Sequence, residues 1–269
     1  MARPIIALLT DFGTADHYAG AMKGAALTIC PDATLVDISH EVPPHDILAG
    51  ALELAASFRY FPPGTVFLVV VDPGVGSSRR GLAAEAGDYR FVAPDNGVLS
   101  AVFEESSPKR VVSITERRYA RPTVSRTFEG RDRFAPAAAW LARGAEVAAL
   151  GTAVRDYMKI DIPRASQSDD RVVGQVLRVD RFGNLVTNIP RAMVERLTSG
   201  GAIDISAHGH AIGALVETYA AAAPGTACAL FGSSDHLEIA LNGGHAADSL
   251  RLSAGAVVEV ARPAKPVLG

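Results

Sequence analysis

Runs of apolar, often β-branched residues alternate with segments of helical spacing along the first part of the chain. The predicted strands cover residues 5–10, 33–38, 66–71 and, briefly, 91–93. The predicted helices cover residues 18–29, 47–58, 96–104 after a turn, and 132–143, where Asp132 is placed to be the N-cap and Pro136 still falls in the first turn. Strands that alternate with helices imply βαβ units, so residues 1–163 are predicted to form an α/β domain with a largely parallel sheet between helices.

The pattern changes near Pro163. Residues 164–170 are polar and without periodicity, which is typical of a linker. Beyond them, short runs with alternating apolar and polar positions are separated by Gly, Asn and Asp. These predicted strands cover residues 172–179, 185–189, 227–231, 237–241 and 256–260. They predict a smaller all-β, barrel-like domain over residues 171–269.

Composition narrows the class of protein. A chain of 269 residues with 48% hydrophobic and 20% charged residues suits one large or two modest globular domains. A net charge of -3 argues against a nucleic-acid partner. No apolar segment is long enough to span a membrane, and Asp11 interrupts the first apolar run too early for a signal peptide. We therefore expect a cytoplasmic protein, in which the isolated Cys30 and Cys228 are small buried side chains.

The most informative candidate chemistry follows the run at residues 66–71, which reads as a strand buried on both faces. The run ends in Asp72, a Pro-Gly-Val-Gly turn follows, and Arg79 comes seven residues after the Asp. In open α/β sheets ligands bind beyond the carboxyl ends of the strands. A carboxylate, flexible glycines and a cation at that place favour a small-molecule site; the alternative is a strand-capping Asp beside a surface Arg.

Several familiar motifs are missing from the sequence. It contains no phosphate-binding P-loop, no dinucleotide-binding glycine motif after the first strand and no Gly-x-Ser-x-Gly elbow. The close pair His208 and His210 is either a metal site or, as its glycine-rich surroundings favour, a solvated turn. His45 follows Pro43 and Pro44, which restrict the backbone and thereby the direction of the neighbouring side chains.

Five segments in order carry a resemblance to a known family. They are Leu-Thr-Asp-Phe-Gly at 9–13, Asp-Pro-Gly-Val-Gly at 72–76 with Arg79, Thr-Phe-Glu-Gly-Arg-Asp at 127–132, Asp-Arg-Phe-Gly-Asn at 180–184, and Glu-Ile-Ala-Leu-Asn-Gly at 238–243. In this arrangement the chain resembles, over nearly its whole length, the S-adenosylmethionine hydroxide adenosyltransferases, relatives of the fluorinase and chlorinase enzymes. The resemblance implies an N-terminal α/β domain, a C-terminal barrel-like domain, and a homotrimer with active sites between the two domains of neighbouring subunits.

The resemblance also implies the reaction. Water attacks the ribose C5′ of S-adenosylmethionine opposite the sulfonium, which leaves as neutral methionine, and adenosine is the other product. No metal and no cofactor is required. Alignment of the two reactants can contribute about 7–11 kcal/mol in the best intramolecular models, and a general base about 10²–10⁴-fold.

The resemblance implies three substrate contacts in the N-terminal domain and a fourth, Asn242, near the end of the chain. Asp11 matches the carboxylate that accepts hydrogen bonds from both ribose hydroxyls, although a turn-forming Asp is the alternative. His45 lies in the loop that covers the ribose in the family, and only this location is carried over. Phe128 and Asn242 lie in the motifs that carry the resemblance and are counted as further substrate contacts.

The C-terminal domain is expected to hold the rest of the substrate. Phe182 and Asn184 match the adenine site, where the ring covers the base and the amide bonds its edge. Asp180 matches the carboxylate that pairs with the methionine ammonium. Ser233 and Ser234 fall where the family contacts the methionine carboxylate, in a region where the alignment is looser.

Asp72 and Arg79 match two members of the family's Asp-Arg-His set, which positions and activates the water. Here Glu129 stands where the family has His. In one interpretation Glu129 is the base; in a second it is structural, paired with Arg131 or Arg133; in a third the enzyme is impaired or uses another substrate. The predicted catalytic residues are therefore Asp72, Arg79 and Glu129.

Two other functions stay open at this point. A binding protein could sense S-adenosylmethionine or adenosine without turnover, and only Glu129 favours it. A 5′-adenosyl transferase could use halide, but the halogenases carry Tyr at the position of Asp72 and a long insertion soon after it. A carboxylate in the pocket also repels fluoride and chloride, so both differences favour hydroxide.

Overall fold

A computed structural model describes residues 3–198 and 201–263. Its internal contacts divide the chain into two compact units, Met1–Ile162 and Pro163–Gly269, which are described separately below. Residues 1–2, 199–200 and 264–269, which the sequence analysis included in the two predicted domains, lie outside the described residues. None of the helices within 3–198 and 201–263 combines the length and the apolar character needed to cross a membrane.

Strands and helices alternate at the start of the first unit, as its pattern predicts. Its strands are Ile5–Thr10 (β1), Thr34–Ser39 (β2), Val66–Val70 (β3), Gly81–Ala86 (β4), Tyr89–Pro94 (β5), Pro108–Ile114 (β6) and Gly151–Ala153 (β7). Its α-helices are Tyr18–Ile29 (α1), Ile47–Ser57 (α2), Ser100–Glu105 (α3) and Ala135–Ala142 (α4).

The described strands of this unit form one sheet in the order β2-β1-β3-β5-β4-β6-β7. The pairs around β1 and β3 are parallel, whereas β4, β6 and β7 extend the sheet with antiparallel pairs. The predicted α/β class with a central parallel sheet is confirmed. The sequence pattern missed β4, β6 and β7, and the stretch that follows Arg80 is the strand β4, which pairs along β5, rather than a mere connection.

The two faces of this sheet are covered by different helices. Along β3, alternate side chains point to opposite sides, so Leu68 packs with α1 and α4 while Phe67 packs with α2 and α3. Every residue of β3 is buried, as predicted for a strand enclosed on both faces. The layers therefore leave the carboxyl ends of β1 and β3, rather than the sheet faces, as the place for a ligand.

The predicted N-cap at Asp132 is wrong. The helical segment begins earlier, as a π-helical turn over Gly130–Phe134 that continues into α4, with Pro136 in the first turn of that helix. Asp132 lies inside the π turn and is almost fully buried, where its carboxylate accepts from Arg131 Nε at 2.7 Å and from the Ser125 amide at 2.9 Å. The hydrogen bond from Arg131 holds the pKa of Asp132 below its ordinary value, although burial opposes this. A buried carboxylate is more stable with such charged partners than as an exposed cap.

The second unit is built from antiparallel strands. They are Ser166–Gln167 (β8), Arg171–Val179 (β9), Leu185–Pro190 (β10), Asp204–Ala207 (β11), His210–Ile212 (β12), Ala227–Phe231 (β13), His236–Leu241 (β14) and Val257–Ala261 (β15). Two helices, Arg191–Thr198 (α5) and Ala246–Leu250 (α6), complete the described part. The strand order is β12-β11-β15-β9-β10-β14-β13, with β8 beside β9.

This second sheet curls until its two edges nearly meet. A bridge between Leu215 and Ala229 joins the segment after β12 to β13, and side chains such as Val176, Leu185 and Val260 fill the enclosed core. The predicted all-β, barrel-like class is confirmed. The segment at residues 164–170 is not only a linker, because β8 within it hydrogen-bonds to β9.

Candidate active site

Asp11 and Asp72 follow neighbouring parallel strands at the same edge of the first sheet. Thr10, the last residue of β1, is paired with Val70, the last residue of β3, so the two strands end level. Asp11 follows at once, and Asp72 follows after the buried Val71. The carboxyl edge of the sheet thus carries two carboxylates, as the rule for open α/β sheets anticipates.

Asp72 and Arg79 form a bidentate ion pair. Arg79 Nε donates to Asp72 Oδ1 at 2.8 Å, and Arg79 Nη2 donates to Asp72 Oδ2. The guanidinium is largely buried and stacks over the ring of Phe134, with 5.1 Å between Cζ and the ring centroid. Burial by itself lowers the pKa of Arg79, but the hydrogen bonds to Asp72 and the charges of Asp72 and Glu129 together outweigh it and raise the pKa. Arg79 therefore stays a cation at every relevant pH. Because its side chain is largely buried, the alternative of a surface Arg beside a strand-capping Asp is excluded.

Glu129 is the second carboxylate on the same guanidinium. Its Oε2 lies 2.7 Å from Arg79 Nη2, and its Oε1 lies 3.6 Å from Arg133 Nη2. The residue is 8% exposed, yet no described donor approaches Oε2 along a hydrogen-bonding direction. The short distance marks an ion pair, although its direction does not meet hydrogen-bond geometry, and this oxygen is shielded from solvent. Arg131, the other partner considered for Glu129, pairs with Asp132 instead.

Close backbone approaches bring the two loops of the site together. Gly76, with φ +79°, lies so near the carbonyl of Arg126 that a Cβ there would collide with it. Gly130 packs against Val70 and Met22, which seats the start of the π turn on β3 and α1. The turn after Asp72 and the segment before Glu129 therefore meet, and π-helical turns are frequent at functional sites.

A cavity of about 160 Å³ opens beside these charged groups. The residues that line it include the acidic Asp72 and Glu129 and the aromatic Phe12, Tyr18 and Phe128. The rings of the three aromatic residues contact one another with centroids 5.2 to 6.0 Å apart, two of the pairs edge to face. A cavity lined by aromatic residues and two acidic residues suits a small organic substrate with a reactive polar centre.

Two residues that line the cavity, Phe12 and Tyr18, were not predicted as site residues from the sequence. Tyr18 is the first residue of α1 and is 40% exposed, and Phe12 follows Asp11 in the loop. An aromatic residue at the start of the first helix, next to a strand-end Asp, is a signal that could have identified Tyr18. Phe128, which was predicted, completes this aromatic wall.

The carboxylate of Asp11 is held by the backbone of the loop before α2. The His45 amide donates to Asp11 Oδ2 at 2.9 Å. His45 has φ +67°, an uncommon conformation for a residue with a side chain. The predicted loop position is thus next to Asp11, and its strained backbone aims an N–H at that carboxylate.

In the second unit, Asp180, Phe182 and Asn184 share one tight turn between β9 and β10. Asp180 Oδ1 accepts from the amides of Phe182 and Asn184, and its Oδ2 accepts from Asn184 Nδ2, each at 2.9 Å. Asn184 is buried, whereas the Phe182 ring is 75% exposed. The turn therefore presents an unshielded aromatic face, and Asp180 is engaged mainly with the turn itself.

The other predicted residues of this unit are spread along β14. Ser233 and Ser234 are exposed in the turn before β14, whereas Asn242 follows its last residue. Because Leu185 pairs with Ile239, the turn that holds Asn184 lies toward the Asn242 end of the strand. Asn242 Nδ2 donates to the Ala222 carbonyl at 2.7 Å, so its amide also fastens the loop before β13.

The remaining histidine and cysteine candidates have ordinary structural settings. His208 and Gly209 form the exposed turn of the β11–β12 hairpin, and both have positive φ. Cys30 and Cys228 are buried free thiols. Among residues 3–198 and 201–263, no group of three or more His, Cys, Asp or Glu is arranged to hold a metal ion.

Comparisons with known proteins agree with this arrangement. The family model of the S-adenosylmethionine hydroxide adenosyltransferase N-terminal domain matches residues 6–151, and that of the C-terminal domain matches residues 174–259. An (R)-S-adenosyl-L-methionine hydrolase of Salinispora tropica is 36% identical over 255 residues, which cover 94% of this chain and 95% of that protein. A fluorinase of Nocardia brasiliensis is 31% identical over 225 residues, which cover 74% of this chain and 75% of the fluorinase.

The fold has a close counterpart as well. The crystal structure of an uncharacterized conserved protein from Thermotoga maritima superposes with a TM-score of 0.91 at 35% identity, over 96% of this chain and all (100%) of the other. The family predicted from the five segments is confirmed by matches to both of its domains. The chain belongs to the S-adenosylmethionine hydroxide adenosyltransferase family.

Proposed function

We propose that this chain hydrolyses S-adenosylmethionine to adenosine and methionine. The oxygen of a water molecule forms a bond to the ribose C5′ while the bond from C5′ to sulfur breaks. The bonding electron pair stays on sulfur, so the sulfonium becomes the neutral thioether of methionine. The proton released from water passes to a carboxylate of the site. The reaction as written balances without a metal or a redox cofactor.

The observation that carries this proposal is the arrangement of Arg79 between two carboxylates at a cavity wall. Arg79 is held by Asp72, and Glu129 Oε2 lies 2.7 Å from its Nη2. A water that donates to the Glu129 carboxylate and lies near the guanidinium would have both an acceptor for its proton and a cation that stabilises developing hydroxide. We assign Glu129 as the base, Arg79 as the electrostatic stabiliser and Asp72 as the group that orients Arg79.

The same arrangement favours water over halide. Asp72 and Glu129 both line the cavity, and a carboxylate next to the reacting atoms repels a small anion such as fluoride or chloride. The hydrolase relative is also more similar to this chain, at 36% identity, than the fluorinase relative at 31%. We therefore propose hydroxide transfer, with Asp11 and the His45 loop at the ribose and Phe128 in the aromatic wall.

Turnover in labelled water tests the reaction and the position of attack together. The purified protein is incubated with S-adenosylmethionine in ¹⁸O-water. The products are separated by chromatography, and their masses are measured by mass spectrometry. We expect methionine together with adenosine that carries ¹⁸O at its 5′-hydroxyl. Unlabelled adenosine would contradict attack on C5′, and tight binding without product would favour a sensor. A parallel reaction with fluoride or chloride is expected to give no 5′-halogenated nucleoside.

We further propose that the protein is a homotrimer with composite sites. The proposed catalytic residues lie in the first unit, whereas the proposed adenine contacts Phe182 and Asn184 and the proposed ammonium contact Asp180 lie in the second. Ser233, Ser234 and Asn242 belong to the same second set. Sharing a site between subunits would make each copy incomplete alone.

Subunit mixing tests composite sites directly. Glu129→Gln, defective in the first unit, is unfolded and refolded together with Asn184→Ala, whose raised KM makes the second unit defective when the assay uses substrate far below that KM. If each site joins two subunits, random mixing restores about a quarter of the sites. Activity that stays at the mean of the two variants, or a monomer by light scattering, would contradict this assembly.

We also propose a cytoplasmic location, because Cys30 and Cys228 are free thiols. Fractionation of the source cells tests this location.

A further inference from the structure

A chain of polar side chains runs from the buried Thr10, next to the Asp11 loop, out to the exposed Asp37 and the partly exposed Lys23. Thr10 Oγ1 and His40 Nδ1 are 2.8 Å apart, and both residues are buried. On the other side of the ring, His40 Nε2 lies 3.1 Å from Asp37 Oδ1. Asp37 Oδ2 in turn accepts from Lys23 Nζ at 2.6 Å. The chain thus links β1, the segment at the end of β2, and α1.

The partners determine which way each proton points. Lys23 and His40 face Asp37; burial raises the pKa of that carboxyl, but the hydrogen bond from Lys23 and the contacts with His40 together outweigh burial and lower the pKa. A carboxylate at Asp37 favours the His40 tautomer with its proton on Nε2, although that N–H lies off the direct line to Oδ1. Nδ1 is then an acceptor, and the Thr10 hydroxyl donates to it.

These atoms have the composition of a nucleophile, base and acid triad, but their setting excludes that role. Thr10 has 0% of its surface exposed, so its hydroxyl cannot reach a substrate. Its oxygen instead accepts from the Phe12 amide at 3.3 Å. The link from Thr10 to His40 therefore acts on the backbone of the loop rather than on a reacting atom.

His40 bonds to both ends of that loop: its ring contacts Thr10 Oγ1, and its carbonyl accepts from the Gly13 amide at 2.7 Å. A neighbouring backbone bond, in which the Thr10 carbonyl accepts from the Val42 amide at 3.4 Å, adds to this attachment. Asp11 lies between these attachments, and its own carboxylate is held by His45 from the same segment. Of these links only the one from Thr10 to His40 joins two side chains, so it can be removed without deleting a backbone group.

We propose that His40 is a positioning residue that holds the Asp11 carboxylate in place for the ribose hydroxyls by fixing Thr10. This inference rests on the proposed function, in which Asp11 binds the ribose. A carboxylate that must accept two hydrogen bonds at once depends on its direction, and an error of about 1 Å is costly in such a site. The ring is thus expected to affect recognition of the ribose rather than folding alone.

Two nearly isosteric variants separate the two ends of the ring. His40→Asn places an amide oxygen near the position of Nδ1 and keeps an acceptor for Thr10. His40→Gln reaches toward Asp37 instead and loses Thr10. Thr10→Val removes the same link from the other side together with the acceptor of the Phe12 amide, and Thr10→Ser keeps both. Should a His40 variant fail to fold, the two Thr10 variants still test the link.

The readout is binding of adenosine and of 2′,3′-dideoxyadenosine, measured by calorimetry on the intact protein. We expect the parent to prefer adenosine, and His40→Gln and Thr10→Val each to bind adenosine about tenfold more weakly, the scale of one impaired hydrogen bond to a charged group. Their affinity for the dideoxy nucleoside should stay within about twofold, and the double variant should lose no more than Thr10→Val alone. His40→Asn and Thr10→Ser should resemble the parent.

Three outcomes would overturn the inference, and they are distinguishable. Equal losses for both nucleosides would mean a general structural role for His40. Parent-like discrimination by His40→Gln and Thr10→Val would mean that the link does not position Asp11. A parent that fails to distinguish the two nucleosides would remove the ribose assignment of Asp11 itself, and this inference with it, while the labelled-water experiment would still test the reaction.

Discussion

Arg79 Nη2 lies 2.7 Å from Glu129 Oε2 while the same guanidinium is clamped by Asp72. One buried cation is thereby shared by two carboxylates from different loops. Asp72 accepts two directed hydrogen bonds from Arg79, whereas Glu129 meets the same guanidinium through a close contact without hydrogen-bond geometry. This asymmetry is the physical basis for assigning orientation to one carboxylate and proton transfer to the other.

Replacing Glu129 tests that assignment. Glu129→Gln keeps the shape of the side chain and removes the proton acceptor, so we expect kcat to fall by about 100-fold or more while S-adenosylmethionine still binds. Glu129→His, which restores the residue of the family, should recover part of the rate because imidazole is a competent base near neutral pH. Steady-state kinetics and calorimetry measure both quantities.

The matched control is Arg133→Gln. Arg133 is the other partner of Glu129, at 3.6 Å and partly exposed, so its loss should change kcat by less than about threefold. Turnover of Glu129→Gln at the parent rate would show that Glu129 is structural and that Asp72 and Arg79 suffice.

Arg79→Lys separates charge from geometry. Lysine keeps the positive charge but lacks the planar fork that bonds Asp72 twice and reaches Glu129, so we expect kcat to fall about tenfold to 100-fold. Arg79→Gln should also destabilise the fold by about 3–5 kcal/mol, because two largely buried carboxylates lose their counter-ion. Thermal unfolding and kinetics together measure the split.

Arg80→Lys serves as the comparison for Arg79→Lys. Arg80 is adjacent in sequence and pairs with Asp95 and Asp156, away from the cavity-lining carboxylates. It should lower stability slightly and leave kcat unchanged. A parent-like kcat in Arg79→Lys would argue that only the charge matters.

His45 provides a test of backbone strain beside Asp11. His45→Gly and His45→Ala remove the same ring and retain the amide that donates to Asp11. Because φ is +67°, the glycine variant should be more stable than the alanine variant by about 1–2 kcal/mol. If the ring covers the ribose, KM should rise equally in both. Equal stability of the two variants in chemical denaturation would contradict the strain.

Asn184→Ala should weaken binding more than it slows the chemical step. The adenine contact changes little between substrate and transition state, so its loss raises KM and leaves kcat nearly unchanged. Asn188, also buried on β10, is the control, since its side chain bonds only backbone atoms of its own unit. Asn188→Ala should lower stability without raising KM. A large fall in kcat with constant KM would rule out the adenine assignment for Asn184.

The Glu238 and Tyr219 pair predicts a pH-dependent stability. Burial raises the pKa of Glu238; the hydrogen bond from Tyr219 opposes this, and the charge of Asp180 adds to it. Burial, with the charge of Glu238, also raises the pKa of Tyr219 to about 12, so its hydroxyl remains a donor at neutral pH. A carboxyl whose folded-state pKa is raised binds more protons folded than unfolded, so it costs stability as pH rises above its unfolded pKa.

We therefore expect Glu238→Gln to gain stability relative to the parent as pH rises from 4 to 7, because the glutamine cannot ionise. Tyr219→Phe should show the opposite trend, since the buried carboxylate loses its donor where it is charged. Urea unfolding at several pH values measures both trends. Parallel curves for parent and Glu238→Gln would contradict the raised pKa.

The sequence by itself determined the central strand, the class of both domains and the family. The run that became β3 is apolar on both faces, and such a strand is stable only in the middle of a covered sheet, which puts Asp72 at a carboxyl edge. The family motifs are also readable from residue order alone. The antiparallel strands β4 and β6 were missed because their pattern is mixed and their stability comes from pairing with neighbouring strands.

Only the tertiary structure decided the partners of the charged residues. Spacing allowed Glu129 to pair with Arg131 and allowed Asp132 to cap a helix, yet Glu129 lies against Arg79 and Asp132 takes Arg131. Likewise, no local pattern joins His40 to Thr10. A buried charge or hydrogen-bonding group must find a partner wherever the folded chain brings one within reach, and that choice depends on how separate loops meet at the sheet edge.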